Sequence, residues 1–389
     1  LNLTSIYAYL DVRFGKAAYR TGASFFLLSK MLGAAARLYL VCLILQNYVF
    51  GSLGVPFEVT ASGTVFLIWL YTFRGGIKSL VWTDALQTLC LVTALVLILY
   101  QLCRLNDFTV VEAVRHVVES PYGRWIEWDD WTSRQHFVKQ FLSGIFIVIV
   151  MTGLDQDMMQ KNLTCKNLHD AQKDMCSYGF SFIPLNMLFL GVGVLLLALA
   201  SREGIDLPVK GDDILPLFCA EGHLGNGVLV LFTIGIIAAA FSSADSALTA
   251  LTTSFCVDIL DVERRFTRPE AVRKKVHGVI ALLFVGFILC FEAVNDSSVI
   301  DAIYVVASYT YGPLLGLFAF GMFTRRKLWL AAVPWICVAS PMGCYLLDAW
   351  TVSTYGYRFG YELLMLNGLF TFVGLYAFSK AYSPDMDKR

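Results

Sequence analysis

The sequence predicts an all-α polytopic membrane protein, because its composition is strongly apolar and its apolar residues come in long runs. Hydrophobic residues make up 57% of the 389 residues and charged residues only 15%, whereas a soluble domain has roughly 45–50% and about 25%. The mean hydropathy of +0.63 excludes an ordinary soluble or disordered chain. The runs are continuous, which excludes a transmembrane β-barrel, since polarity alternates from residue to residue in its strands.

Ten apolar runs account for most of the chain, and one crossing of a bilayer core of about 30 Å needs about 20 helical residues. The second run is short and ends at Arg74-Gly75-Gly76, so it is either tilted or broken there. The ten transmembrane helices are predicted at about 19–48, 59–74, 79–103, 137–160, 176–200, 225–258, 273–293, 299–324, 328–349 and 360–381.

The basic residues indicate how these spans are oriented. If the amphipathic loop predicted at residues 1–22 is cytoplasmic, 20 basic residues fall in inner loops and 8 in outer loops. Because inner loops are enriched in Lys and Arg, we expect the first loop and the C-terminus to be cytoplasmic, in the plasma (inner) membrane. Residues 104–136 then form an outer loop, whose Trp125, Trp128 and Trp131 are typical of a surface helix at the interface.

Polar residues inside the spans are costly there and mark candidate functional positions. Asp84, near the inner end of the third span, either reaches the interface or a nearby lysine, or is an oxygen ligand for a small cation. In the sixth span, Ser242 and Ser246 share a helix face, and Asp245 precedes Ser246. Close packing of small residues explains the neighbouring alanines but not these oxygen-bearing side chains, which favour a sodium site.

Two further groups allow alternative interpretations. Asp155, Gln156 and Asp157 form either a solvated helix end or an inner gate network at the end of the fourth span. Arg37 lies near the middle of the first span and cannot lose its proton, so it needs either an internal acceptor or an anionic substrate. Lys30, nearer the inner end of that span, can extend towards the interface.

These motifs together resemble the sodium:solute symporter family. Residues 4–15 are similar to the loop before the family's third core helix, and residues 75–88 to the junction of its fourth and fifth core helices. Asp155-Gln156 with Gln160-Lys161 resembles the family's Asp-Gln, Gln-Arg stretch. Ala239 with Ser242-Ser243 and Asp258-Ile259 resembles its sodium-site helix. Tyr309 with Gly312-Pro313 resembles its tenth core helix.

The resemblance implies a leucine-transporter-like fold, an inverted repeat of five core helices plus five, from which this chain lacks the first two core helices. Residues 19–103 would be the remainder of the first repeat, 104–136 the outer loop and 137–324 the second repeat. Residues 325–389 would be accessory helices with a short cytoplasmic tail, and the whole chain, 1–389, would be one transmembrane transporter domain. The missing first core helix would be discontinuous and would supply carbonyl ligands to sodium.

The resemblance also implies two sets of sodium ligands. The principal sodium would be bound by the backbone carbonyl of Ala239 and the hydroxyls of Ser242 and Ser243. Some members have a second sodium site, and its carboxylate corresponds to Asp84. Those members have a serine where this chain has Asp245, so the residues implied for the second site are Asp84, Asp245 and Ser246, with Ser242 shared.

Several positions depart from the sugar-transporting branch of the family. That branch has a lysine at Phe180 or Ser181, a sugar-binding glutamine at Val305 and an aromatic gate near Met151. The replacements remove the donors and acceptors that a sugar needs, whereas Arg37 favours a carboxylate, which a guanidinium binds bidentately. The candidate substrate-contact or gate residues are therefore Arg37, Val148, Met151, Thr152, Phe180, Ser181 and Val305.

We therefore expect a sodium-coupled secondary active symporter that imports a small organic solute, with a carboxylate as the candidate class, by alternating access. Sodium would be the coupling ion without an organic cofactor, and the partners would be the solute, sodium and the lipid bilayer, but no nucleic acid. The sequence contains no Walker A, GxSxG or cofactor fingerprint, so an enzyme or an ATP-driven pump is disfavoured. The alternative is a transporter-like sensor or a sodium leak protein without tight coupling.

Overall fold

The structure is a computed structural model that describes residues 5–124, 126–163, 165–208, 211–220, 222–294 and 299–380. Almost all of these residues are helical, and β1 (Lys327–Leu328) and β2 (Ser379–Lys380) form a short antiparallel pair. The helices, in chain order, are α1 (Ala8–Arg13), α2 (Lys16–Leu45), α3 (Phe57–Leu105), α4 (Val110–Glu119), α5 (Phe137–Val148), α6 (Gln156–Leu163), α7 (Leu168–Glu203), α8 (Ile214–Ala220), α9 (Asn226–Ser254), α10 (Val262–Arg265), α11 (Pro269–Val294), α12 (Val299–Phe323), α13 (Val333–Tyr355) and α14 (Leu363–Ala377).

The long apolar helices have the lengths and compositions of membrane spans. Two shorter apolar helices, Phe137–Gly153 and Leu363–Ala377, accompany them. The chain is thus a polytopic helical membrane protein as predicted, but the predicted count of ten spans is not confirmed. Among the described residues, the six segments that are long and apolar enough to cross a membrane are Lys16–Leu45, Asp84–Leu105, Leu168–Glu203, Asn226–Ile259, Pro269–Ala293 and Ile303–Phe323.

The second and third predicted spans are one helix, so of the two alternatives for the second span a break at residues 74–76 is wrong. The backbone of α3 is helical over 49 residues, a length of about 74 Å at about 1.5 Å per residue. A glycine costs a helix only about 1 kcal/mol relative to alanine, and α3 contains no proline that would remove a backbone donor. The side chains of residues 73–83, including Lys78 and Trp82-Thr83 of the family motif, lie outside the described part of the chain.

The fourth predicted span, 137–160, is interrupted instead of continuous. A π-helical turn, Ile149–Gly153, follows α5, and α6 begins only at Gln156. At this break the Asp155 carboxylate accepts a hydrogen bond from the Asp157 amide at 2.9 Å, which satisfies a donor of the first turn of α6. The interruption turns the acidic residues inward, whereas the sequence prediction continued the span through them to residue 160.

The predicted outer loop carries the expected surface helix. In α4, Thr109 and Glu112 form a capping box, in which each side chain accepts a hydrogen bond from the other residue's backbone amide. Val110, Val114 and Val118 are exposed on one side of this amphipathic helix. An exposed apolar face beside a polar one suits the membrane interface. Trp125, one of the three tryptophans of the predicted aromatic belt, lies outside the described residues.

α2 is the central helix and carries both Lys30 and Arg37. It packs against α9, α11 and α12, and its buried Ala34–Ala36 segment lets these neighbours approach closely. The sequence predicted a loop before α2, but part of that segment is the helix α1. α1 packs on α2, where Leu10 is fully buried beside Gly22, whose hydrogen leaves the space that the leucine fills.

Helix α12 contains Pro313, and α14 compensates for it. Proline has no amide hydrogen, so the carbonyl four residues earlier, that of Tyr309, loses its partner within the helix. Asn367 of α14 is fully buried, and its Nδ2 donates to the Tyr309 oxygen at 2.8 Å and to the Ser308 oxygen at 3.0 Å. A β-carbon added at Gly312 would lie 2.3 Å from the Asn367 side chain, so glycine is what permits this contact.

Candidate sodium and solute site

One face of α9 lines a cavity together with residues of α2 and α12. Ala239 and Ser243 lie one helical turn apart on this face and border a space of about 360 Å³. Arg37 of α2 and Tyr304 of α12 border the same space. Two of the predicted ligands of the principal sodium and the predicted anion-binding residue therefore meet at one cavity.

Arg37 makes no hydrogen bond or ion pair with any residue in the described ranges of the chain. It also borders a second, smaller cavity of about 40 Å³, which Lys30, Asp155 and Tyr311 line. An unpaired guanidinium is costly at membrane depth, and it binds planar anions through parallel hydrogen bonds.

A second face of α9 contacts α3 through polar side chains. The Ser242 hydroxyl donates a hydrogen bond to the Asp84 carboxylate, and the Tyr71 hydroxyl donates to Asp245, which is fully buried. The Ser246 hydroxyl is buried here and has no hydrogen-bond partner in the part of the chain that the structure describes. The four residues predicted for the second sodium site thus lie at one helix contact, where carboxylate and hydroxyl oxygens suit a small cation.

The break between α5 and α6 holds a buried ionic network. Lys30 Nζ lies 3.1 Å from Asp155 Oδ2 and 3.0 Å from Asp157 Oδ2. The Tyr311 hydroxyl donates to Asp155 Oδ2 at 3.0 Å, and Gln156 Oε1 accepts from the Ile6 amide at 2.9 Å. The two carboxylates and Lys30 are all less than one-tenth exposed.

This network contradicts one of the two interpretations of the acidic group. A solvated helix end is wrong, because the carboxylates are buried and share the charge of Lys30. The expectation that Lys30 extends to the interface is wrong for the same reason. A buried ion pair must be well hydrogen-bonded to offset its desolvation, and here Tyr311 and the Asp157 amide supply those bonds.

The other candidate contact and gate residues lie in different places. Met151 borders the smaller cavity in the π-helical turn that also contains Thr152, while Val148 is 61% exposed at the end of α5. Phe180 is 77% exposed on α7, and Ser181 beside it donates to its own helix at the Tyr178 oxygen. Val305 is exposed on α12. Phe180, Ser181 and Val305 are not among the described residues that line the two cavities.

Three residues of these networks were not singled out from the sequence: Tyr71, Tyr311 and Tyr7. Tyrosine in an apolar span is a common packing residue, so its presence alone gave no signal. The Tyr7 hydroxyl donates to the Leu154 oxygen at 2.8 Å, at the break before α6. Tyr7 and Leu154 are more than 140 positions apart in the sequence. Hydropathy describes local segments and cannot predict contacts between such distant residues.

The sequence profile of the sodium:solute symporter family matches residues 2–328. The chain belongs to this family. The sodium/sialic acid symporter NanT of Aliivibrio fischeri is 27% identical to this symporter-family chain over 336 residues, which are 84% of this chain and 65% of NanT. The sodium/sialic acid symporter SiaT of Proteus mirabilis is 26% identical over 352 residues, 87% of this chain and 69% of SiaT. The chain therefore spans about two thirds of the length of these curated relatives.

A solved structure of a Na+-coupled sialic acid symporter, in a substrate-bound outward-open state, has the same fold. The TM-score is 0.74 at 21% identity, over 97% of this chain and 78% of that chain. The family and the matched relatives are transporters and not enzymes. With its long apolar helices, this symporter-family chain is an integral, multi-pass membrane protein.

Proposed function

We propose that the protein is a sodium-driven symporter that imports a small organic anion, most simply a carboxylate, by alternating access. One observation carries this proposal: Arg37, without a protein partner among the described residues, borders the same cavity as Ala239 and Ser243. A solute carboxylate at Arg37 and a sodium ion at α9 would then be neighbours. The matched relatives NanT and SiaT are named for sialic acid, a solute that carries a carboxylate.

The principal sodium, in this proposal, takes the Ala239 carbonyl and the hydroxyls of Ser242 and Ser243. Sodium is bound through oxygen, and small hydroxyl side chains in an apolar helix provide oxygen without adding charge. A second cation would bind between α3 and α9, at Asp84, Asp245 and Ser246. Two carboxylates and a buried hydroxyl at one helix contact support it.

The remaining assignments follow the family resemblance. The core helices would form a five-plus-five inverted repeat, with α2 and α3 in the first repeat, α5 to α12 in the second, and α13 and α14 accessory to it. The protein would lie in the plasma (inner) membrane, with the first loop and the C-terminus cytoplasmic and no nucleic-acid partner. Val148, Met151, Thr152, Phe180, Ser181 and Val305 would be the substrate-contact or gate positions.

The energy of sodium entry is sufficient for such coupling. One charge that crosses about 100 mV releases about 2.3 kcal/mol. Sodium must also favour the state that binds the solute, and such linkage is typically worth about 1–3 kcal/mol and is reciprocal. A site in which sodium and an anionic solute occupy neighbouring positions provides this linkage directly, because each ion lowers the electrostatic cost of binding the other.

The experiment is sodium-driven uptake by the full-length protein in proteoliposomes, with a small carboxylate and its neutral amide as competing solutes. Arg37→Lys keeps the charge but loses the planar fork, so carboxylate uptake should fall by about tenfold, or about 1.4 kcal/mol. Arg115→Lys, the same change on the exposed side of α4, is the matched control and should leave uptake unchanged.

Three results would contradict the proposal. The wild type could transport the amide as well as the carboxylate, which would exclude an anion-selective site. Arg37→Lys could reduce folded yield while the uptake per folded molecule stays constant, which would make Arg37 structural. Sodium could enter at the same rate with and without solute, which would identify a leak without coupling.

A further inference from the structure

A third cavity lies between α3, α9 and α11, and the transport proposal does not use it. Its volume is about 170 Å³, roughly ten times the space of about 10–15 Å³ that one water molecule requires. Thr249, Thr252 and Thr253 of α9 line it on one helix face, and Thr72 of α3 lies opposite. No residue of this cavity borders the cavity at Arg37, within the described lining of either.

The floor of the cavity is a buried histidine of α11. His277 is 8% exposed, with Nε2 at 2.9 Å from the Thr72 hydroxyl and Nδ1 at 3.0 Å from the Thr252 hydroxyl. Each hydroxyl has one proton, and the two threonines direct theirs to backbone carbonyls of their own helices at 2.8 Å and 2.7 Å. The two hydroxyls hold the ring between α3 and α9, and the ring donates through whichever nitrogen carries the proton.

The mouth of the cavity is basic. Arg273 and Lys274 of α11 line it one turn before His277. Glu263 of α10 accepts a hydrogen bond from one Arg273 nitrogen at 2.8 Å, which leaves the other guanidinium donors for a ligand. Among the described residues that line the cavity there is no carboxylate.

The walls offer two hydroxyl groups that the protein does not use. Thr249 and Thr253 are one helical turn apart, and neither hydroxyl makes a hydrogen bond within the described ranges of the chain. Hydroxyl donors next to an arginine and a lysine form a typical oxyanion environment. A cation would be repelled by the same groups.

We propose that this cavity binds a phosphate group, either of inorganic phosphate or of a lipid headgroup. Arg273 and Lys274 supply the charge, Thr249 and Thr253 supply hydrogen bonds, and His277 fixes the inner end of the site. The site joins α9, which carries the candidate sodium ligands, to α11. Its occupancy does not depend on transport, so the proposal stands or fails separately from the proposed function.

The test measures thermal unfolding of the purified full-length protein against phosphate concentration, because a ligand that binds the native state raises its stability. Inorganic phosphate is added in nonionic detergent, with chloride at matched ionic strength as the reference. A second arm uses nanodiscs of phosphatidylcholine with and without phosphatidic acid. The variants are Lys274→Gln and Thr253→Val, with Lys275→Gln and Thr233→Val as matched controls on the same two helices outside the cavity lining.

Stabilisation by inorganic phosphate would assign a free anion, and stabilisation by phosphatidic acid alone would assign a lipid headgroup. In either arm Lys274→Gln and Thr253→Val should weaken the apparent affinity by about tenfold or more, while the two controls bind as the wild type does. The proposal is overturned if neither probe stabilises the wild type beyond its reference. It is equally overturned if Lys275→Gln weakens binding as much as Lys274→Gln, because general surface charge would then explain the effect.

Discussion

Ser242 and Ser243 are adjacent in the sequence, but one residue of α-helix is a rotation of about 100°, and the two hydroxyls point in different directions. Ser243 borders the cavity at Arg37, whereas Ser242 donates to Asp84 on the other side of α9. In this structure Ser242 thus belongs to the contact between α3 and α9, and it would have to turn away from Asp84 to bind the principal sodium. A change at Ser242 should affect both sites, and a change at Asp84 only the second.

The first prediction concerns these sodium ligands. The double variant Ser242→Ala/Ser243→Ala should raise the sodium concentration for half-maximal uptake by about tenfold or more, or about 1.4 kcal/mol. Asp84→Asn should instead lower the sodium Hill coefficient, because it removes one cation from the cycle. Ser201→Ala, an exposed helical serine on α7, is the control for the loss of a hydroxyl. An unchanged sodium dependence at normal surface expression would refute the ligand assignment.

At the scale of residues, the sequence predicted those polar side chains that are conspicuous in an apolar segment. Asp84, Asp245, Ser246 and Arg37 were recognisable because each is costly inside a membrane unless it has a function or a partner. The partners themselves were not recognisable. Lys30 meets Asp155 across 125 positions of sequence, and such a pairing depends on tertiary packing that composition and periodicity do not encode.

At the scale of elements, the errors have two physical causes. In α3, the Gly75-Gly76 pair suggested a tilted or a broken span, but glycine lowers helix stability without preventing helical geometry. At residues 153–155 the opposite happened, since the predicted span was continued through a real interruption. Whether a helix breaks there depends on whether other groups satisfy the freed polar atoms, and Tyr7 does so for the Leu154 carbonyl.

The second prediction tests the compensation between α12 and α14. Asn367→Leu leaves the Tyr309 carbonyl without its donor, and a buried unsatisfied group costs about 1–3 kcal/mol. Pro313→Ala restores the amide that this carbonyl would otherwise use, so Asn367→Leu should cost clearly less in the Pro313→Ala background. Thermal unfolding of the four proteins of this double-mutant cycle gives the coupling.

A matched control for that cycle is Asn186→Leu on α7. Asn186 is exposed, and its Nδ2 donates to a carbonyl of its own helix at 2.7 Å, so the same substitution removes a similar bond where nothing is buried. Its effect on the unfolding temperature should be small. If Asn367→Leu costs the same in both backgrounds, the asparagine is not the substitute for the missing proline amide.

At the scale of the whole molecule, composition was sufficient for the class of protein, and motif order for the family. The number of membrane crossings could not be predicted in this way, because hydropathy measures how apolar a segment is and not whether its helical backbone continues. α2 shows what the whole chain adds. It packs on α9, α11 and α12. Arg37 of α2 borders the cavity of the candidate solute site, and Lys30 lies in the buried network. One helix therefore connects the candidate solute site to the break between α5 and α6.

The last prediction follows from that connection, because the contact of Lys30 with Asp155 and Asp157 joins α2 to the predicted second repeat. Lys30→Met leaves two carboxylates buried without their cation, which should cost on the order of 3–5 kcal/mol. The triple variant Lys30→Met/Asp155→Asn/Asp157→Asn removes all three charges and should recover most of this loss, while the Tyr311 hydroxyl keeps an acceptor in the amide oxygen that Asp155→Asn introduces. The folded fraction after heating, followed by size-exclusion chromatography, ranks the variants. A triple variant less stable than Lys30→Met would show that the carboxylates are held by groups other than the lysine.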